Sequence, residues 1–193
     1  MKLIIAITGA SGSIYGIRLL EFFKSRKDIE THLIISKTAE SVIPHETDHD
    51  NIEHVKRLAH FCYQDDDLTA PISSGSFPTD GMVVVPCSAK TLSAVAHSYG
   101  ENLIARACDV SLKERRKLVL VFRETPLTLA HIENMKKVTS MGGIILPPMP
   151  GFYYKPQTID DLINHTTGKV LDLFKIEHSL FRRWGKINRM QDK

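Results

Sequence analysis

The chain has 193 residues, 42% of them hydrophobic and 24% charged, with a formal net charge of +3. These values fit one globular domain with a sizeable core, and so small and dispersed a charge does not imply nucleic acid, so no nucleic-acid partner is expected. Cys62, Cys87 and Cys108 make neither a disulfide framework nor a C-x-x-C motif, and no apolar run approaches a secretion signal or a membrane span, so a cytoplasmic protein is expected.

Leu3-Ile4-Ile5-Ala6-Ile7 is an unbroken apolar run too short for a helix, and it predicts a strand buried on both faces. Thr8-Gly9-Ala10-Ser11-Gly12-Ser13 then turns the chain into a helix over about residues 13–25, with Ile14, Ile17, Leu20 and Phe23 at helical spacing. Ser11 or Ser13 is expected to cap that helix, leaving N–H groups for a phosphate. The glycines at 9, 12 and 16 do not spell G-x-G-x-x-G, and no Lys follows them as in a Walker A loop. A second strand over 31–36 ends in Ser36-Lys37, where an NAD site wants a carboxylate. NAD is therefore disfavoured, and a flavin mononucleotide or an NADP-like ligand stays open.

A helical stretch interrupted by Pro44 follows, then a helix over 52–59 and a polar, turn-rich segment over 64–80. Met82-Val83-Val84-Val85 reads as another buried strand, ended by Pro86-Cys87-Ser88-Ala89-Lys90-Thr91 and a helix to about His97. The remaining pattern is a long helix over 102–116, a strand over 118–122 closed by Arg123-Glu124, a helix over 129–140 and a strand over 144–146. A proline loop over 147–151, a helix over 159–174 and a polar tail from about 175 with Trp184 complete it. Strands alternating with helices predict one α/β domain, an open parallel sheet with helices on both faces. Ligands in such sheets bind beyond the carboxyl ends of the strands. That places Ser11, Ser36, Ser88, Lys90, Arg123 and Glu124 on one rim.

His45-Glu46-Thr47-Asp48-His49 matches H-E-x-x-H, but the surrounding residues are poor helix formers. A polar loop without zinc is expected, with Glu46 alone as a functional carboxylate. Cys87 is expected to be structural, because no base is visible nearby. Arg106 and Lys113 lie two turns apart on one helix face, suited to clamping a phosphate jointly, and Asp109 is spaced to pair with Lys113.

Together these motifs resemble the flavin prenyltransferases, the UbiX-type family. The matching stretches are Gly9-Ala10-Ser11-Gly12 with Tyr15-Gly16, Glu46-Thr47-Asp48, Ser73-Ser74-Gly75-Ser76 and Pro86-Cys87-Ser88-Ala89-Lys90-Thr91. Further on come Asn102-Leu103-Ile104-Ala105-Arg106, Leu112-Lys113-Glu114-Arg115, Arg123-Glu124-Thr125-Pro126, Leu146-Pro147-Pro148-Met149-Pro150 and Phe152-Tyr153. The resemblance implies a Rossmann-like or flavodoxin-like three-layer subunit in a large homo-oligomer, typically a dodecamer. It implies reduced FMN and dimethylallyl phosphate as substrates, no metal, and prenylated FMN delivered to a UbiD-type decarboxylase.

By motif, the resemblance implies that Gly9, Ala10, Ser11, Ser36, Ser88, Ala89, Lys90, Thr91 and Arg123 hold FMN. Arg106, Lys113, Tyr153 and Lys169 would hold dimethylallyl phosphate. Glu46 and Glu124, with Ser11, would manage charge and protons, and Trp184 would cover the site. Lys169 stands where the family often has Arg, and Ala89 where it often has a larger residue. Two alternatives remain at this point. A decarboxylase of cysteinyl peptides would be expected to carry Pro-Ala-Ser-Ala-Asn-Thr and Pro-x-Met-Asn, whereas this chain has Lys90 and Pro150 at the Asn positions. A non-enzymatic flavin carrier needs no second phosphate clamp.

Overall fold

The computed structural model describes residues 1–185. The chain divides into two compact units, one from Met1 to Pro147 and one beginning at Pro148. The first contains β1 (Lys2–Ile7), α1 (Ser13–Lys24), β2 (Glu30–Ile35), α2 (Lys37–Glu46), α3 (Ile52–Lys56) and β3 (Phe61–Gln64). It continues through β4 (Gly81–Cys87), α4 (Ala89–Ala96), α5 (Leu103–Lys113), β5 (Lys117–Phe122), α6 (Leu129–Ser140) and β6 (Ile144–Ile145). The second unit contains α7 (Ile159–Leu173). Among the described residues no helix is long and apolar enough to cross a membrane.

All strand pairs are parallel and their order is β3-β2-β1-β4-β5-β6, the doubly wound order that reverses between β1 and β4. Even-numbered residues of the central strands (Ile4, Ala6, Met82, Val84, Leu118, Leu120) share a core with Leu92 and Val95 of α4 and Ile104 and Cys108 of α5. On the opposite face Ile5, Ile7, Val83 and Val85 are buried, and α1 packs there through Gly16. Helices thus cover both faces, as the alternating pattern predicts.

Three local differences have simple causes. β3 was not expected, because it is a short, mostly exposed edge strand without a buried apolar run, and its Phe61 and Tyr63 stack on the buried His32 of β2. Pro44 does not interrupt α2, which continues to Glu46. In the last turn of a helix a proline removes only one ladder bond. Asp109 pairs with Arg106 at 3.0 Å, not with Lys113, whose ammonium instead contacts Glu114.

Gly16 sets how closely α1 approaches the sheet. A Cβ there would lie 2.5 Å from the Val85 carbonyl oxygen and 2.9 Å from Ile7 Cγ1. Gly→Ala inside a helix ordinarily stabilises by about 0.5–1 kcal/mol. Gly16→Ala is expected to destabilise instead, by about 1–3 kcal/mol, because backbone on the facing strand must move. Denaturant unfolding of the two proteins checks this.

Candidate active site

β1 and β4 are neighbours whose chains leave in opposite directions, and a crevice opens beyond their carboxyl ends. Thr8, 2% exposed, ties the two ends together. Its N–H and its hydroxyl both donate to the Pro86 carbonyl, at 3.2 and 2.8 Å, and its Oγ1 accepts the Ser88 N–H at 2.8 Å.

The crevice is a cleft of about 530 Å³. Thr8, Gly9, Ala10 and Ser11 line it from the β1–α1 turn, and Ser36, Lys37 and Thr38 from the start of α2. Ser88, Ala89, Lys90 and Thr91 line it from the start of α4, and Arg123 and Glu124 from the end of β5. All the residues expected on the rim therefore meet in one place. Lys37, read with Ser36 as unsuited to NAD, lines the cleft too, and so do Thr38, Asp65 and Asn102, which were given no binding role. Lys37 and Thr38 were signalled by their position just after Ser36. Asp65 and Asn102 were not, since their pairing spans 37 residues.

Two helix N-termini open on this cleft. Ser36 caps α2 by accepting the Ala39 N–H at 3.2 Å, and Ser88 caps α4 by accepting the Thr91 N–H at 3.3 Å. With Lys37, Lys90 and Arg123 alongside, the cleft favours an anion. Gly9 keeps the turn low, because a Cβ there would collide with the Thr38 side chain. Asp65 is a structural carboxylate in the same wall. It accepts Asn102 Nδ2 at 2.9 Å and the Ile104 N–H at 3.1 Å, which seats the start of α5. Burial holds its carboxyl above the ordinary range despite those bonds. Glu124 Oε1 accepts the Thr125 N–H at 3.0 Å, which orients its carboxylate within the loop.

The N-terminus of α1 is a correction to the sequence reading. Neither Ser11 nor Ser13 caps it; Gly12 is the N-cap, at a φ of 103°, and no side chain of its own bonds back. Glu46 takes that place from the end of α2. Its Oε2 accepts the Gly12 N–H at 2.9 Å, the Ser13 N–H at 3.2 Å and the Ser13 hydroxyl at 2.8 Å. These N–H groups are already paired with a carboxylate, so a phosphate is left with α2, α4 and the cations. Burial raises the Glu46 carboxyl, but the hydrogen bonds from Ser11, Gly12 and Ser13 outweigh it and hold it below its ordinary 4.5. Because α2 ends at Glu46, His45 and His49 do not share a helix face. Cys87 is fully buried and burial drives its thiol strongly upward, in keeping with a structural role.

Arg106 and Lys113 stand apart from this cleft. They line a second depression, of about 510 Å³, with Glu114 and the Ser73–Ser76 loop. Arg106 Nε donates to the Ser73 carbonyl at 3.1 Å, and Arg116 fixes the loop by donating to the carbonyls of Phe77 at 2.8 Å and Gly75 at 2.6 Å. The C-terminal unit carries the other expected contacts. Lys169 is exposed on α7, and the Tyr153 ring meets the Trp184 ring edge-on at 5.5 Å. Asp172 accepts His178 at 3.1 Å and Arg183 at 2.6 Å, which ties the segment bearing Trp184 to α7.

A family model described as Flavoprotein matches residues 1–182. The flavin prenyltransferase UbiX of Methanocaldococcus jannaschii is 51% identical over 187 residues, 97% of this chain and all of that protein. The chain belongs to the flavin prenyltransferase family. Among solved structures, a dodecameric FMN-dependent UbiX-like decarboxylase from Escherichia coli O157:H7 superposes with a TM-score of 0.93 at 48% identity, covering 95% of this chain and 99% of that one. AnUbiX (PadA1), solved in complex with FMN and dimethylallyl pyrophosphate, gives a TM-score of 0.92 at 48% identity, covering 95% and 96%. The flavin prenyltransferase fold is thus the one whose switch-point cleft is described above.

Glu46→Gln retains the shape of the α1 cap and removes its charge. It is expected to lower stability at neutral pH by about 0.5–2 kcal/mol, the range for loss of a helix cap. A depressed carboxyl stabilises the fold above its ordinary value and loses that contribution as pH falls through the folded value. The gap between wild type and Glu46→Gln should therefore be full above pH 4.5 and close below it, as followed by thermal unfolding across pH.

Proposed function

We propose that the protein transfers the dimethylallyl group of dimethylallyl phosphate to reduced FMN, and that the prenylated FMN serves a UbiD-type decarboxylase. The observation that carries this reading is the full-length relation, near 50% identity, to proteins named flavin prenyltransferases. The cysteinyl-peptide decarboxylase and the flavin carrier are not favoured beside it.

The cleft fits a flavin mononucleotide. Its cations and two helix N-termini suit a phosphate, and its Gly9–Ser11 turn leaves room for close approach. In this reading Ser36, Ser88, Thr91 and Arg123 hold the phosphate end, and Gly9, Ala10, Ser11, Ala89 and Lys90 line the rest. Reduced FMN supplies the electron-rich ring that accepts the allyl group. Glu124 sits on the cleft wall, where a carboxylate can take or return a proton. Glu46 acts at one remove, by fixing the turn that carries Ser11.

Departure of phosphate from the allyl group needs cations, because charge develops on the leaving oxygen. Arg106, Lys113 and Lys169 supply them in this reading, with the Tyr153 hydroxyl as a neutral donor. Trp184 and Tyr153 offer electron-rich faces to an allylic cation. Arg106 and Lys113 line a depression separate from the flavin cleft of the same chain. Assembly of several copies, as in the dodecameric relative, would bring that depression of one copy to the cleft of another. A cytoplasmic location, one working flavin-binding domain and independence from metal belong to the same proposal.

Anaerobic incubation with FMN, a reductant and dimethylallyl phosphate, read by mass spectrometry, is expected to give FMN enlarged by one dimethylallyl group. Unchanged FMN would overturn the reading. Lys113→Ala should lower transfer efficiency about ten- to a hundred-fold, equivalent to losing one charge-assisted contact of about 1.5–3 kcal/mol, with FMN affinity retained. Glu124→Gln should depress turnover more than it weakens either substrate.

A further inference from the structure

His165 stands on the buried face of α7, among Ile163, Thr166, Thr167 and Val170. It is 8% exposed, and its ring is gripped on three sides. Tyr154 stacks on it at 5.2 Å and Phe181 meets it edge-on at 4.8 Å. The Gly151 backbone lies so close that a Cβ there would sit 3.1 Å from its Nε2. Tyr154 is itself held, since its hydroxyl donates to the Asp161 carbonyl at 3.0 Å. The imidazole cannot turn within this packing.

Its two nitrogens have different fates. Nε2 lies 3.3 Å from the Tyr153 hydroxyl, whereas Nδ1 is buried with no hydrogen-bond partner among the described residues. Burial, and then the Lys169 charge, lower its affinity for a second proton, so the ring is neutral and carries a single N–H. An N–H on Nδ1 would be an orphaned buried donor, whereas a bare lone pair there is the cheaper defect. The hydrogen therefore belongs on Nε2. The Tyr153 oxygen then accepts from His165, and its own proton is free to be donated elsewhere.

We infer that His165 is a positioning residue for the transfer reaction: its Nε2–H fixes the Tyr153 phenol and turns the hydroxyl proton outward, as a donor to the phosphate of the allylic substrate. This rests on the reading that Tyr153 meets that phosphate. No histidine motif in the sequence signalled the role, because the twelve residues separating the pair are bridged only by the fold.

Steady-state transfer kinetics with FMN and dimethylallyl phosphate test it in the full-length protein. His165→Phe fills the same space without the donor and is expected to raise KM for dimethylallyl phosphate about three- to ten-fold, with FMN affinity unchanged. His165→Gln places an amide N–H where Nε2 stands and should restore most of the loss. In a Tyr153→Phe background His165→Phe should add less than about two-fold, because the partner is already gone. With 3-fluorotyrosine incorporated, the Tyr153 fluorine resonance, assigned by its absence in Tyr153→Phe, should move in His165→Phe and return in His165→Gln. Loss of function in Tyr153→Phe together with full function in His165→Phe would overturn the inference and leave the reading of Tyr153 intact. So would independent, multiplicative penalties, or a His165→Gln no better than His165→Phe. An unchanged KM in Tyr153→Phe would instead overturn the reading of Tyr153, and the role of His165 with it.

Discussion

The Thr8 side chain holds together the point on which the site depends. A parallel sheet that reverses its winding leaves two neighbouring strand ends with nothing between them but their own loops. The β1–β4 ladder runs as far as Ala6 and Val84, and beyond it the two chains need another link. Buried Thr8 supplies it: its hydroxyl donates to the Pro86 carbonyl and accepts the Ser88 N–H, and its backbone N–H adds a second bond to Pro86. These bonds fix the separation of the β1–α1 turn from the start of α4, and hence the width of the cleft. A valine would fill the same volume but leave the Ser88 N–H without this acceptor and the Pro86 carbonyl with the backbone N–H alone.

The second constraint is how the positive helix ends are shared out. Three helices, α1, α2 and α4, begin near the strand ends, and each brings a positive terminus. Glu46 neutralises that of α1 internally. The other two, with Lys37, Lys90 and Arg123, are aimed at the cleft. The usual dinucleotide arrangement is thereby altered: the first turn keeps its glycines but its helix dipole is occupied. The duties of the usual fingerprint glycines are also redistributed. Gly12 makes the left-handed turn, Gly9 clears Thr38, and Gly16 lets α1 settle on the sheet. This accounts for a glycine turn in this chain without the G-x-G-x-x-G spacing.

Much of this was legible in the chain. β1, β4 and β5 are buried on both faces, so their apolar runs were readable without knowing their neighbours. Residues that follow such strands directly, from Gly9 to Ser11, from Ser88 to Thr91, and Arg123 with Glu124, could be placed on one rim from the strand pattern alone. What was not legible depends on partners distant in sequence. β3 is a strand because His32 offers it a stacking surface, 29 residues before Phe61. Glu46 is a helix cap because the fold returns it to a turn 34 residues earlier. Arg106 and Lys113 share a helix face as their spacing required, yet that face looks onto the Ser73–Ser76 loop and not onto the cleft of the same chain. Periodicity identifies a shared face; only the tertiary structure shows what it meets.

The central claim is that the β1–β4 cleft holds the flavin and that its phosphate is received by α2, α4 and the neighbouring cations while Glu46 keeps the start of α1. A crystal structure of the protein with FMN measures this directly. The account predicts the phosphate beside Ser36, Ser88 and Arg123, with Glu46 still accepting the Gly12 and Ser13 N–H groups. A phosphate seated on Gly12 and Ser13 with Glu46 displaced, or a flavin outside the cleft, would contradict it.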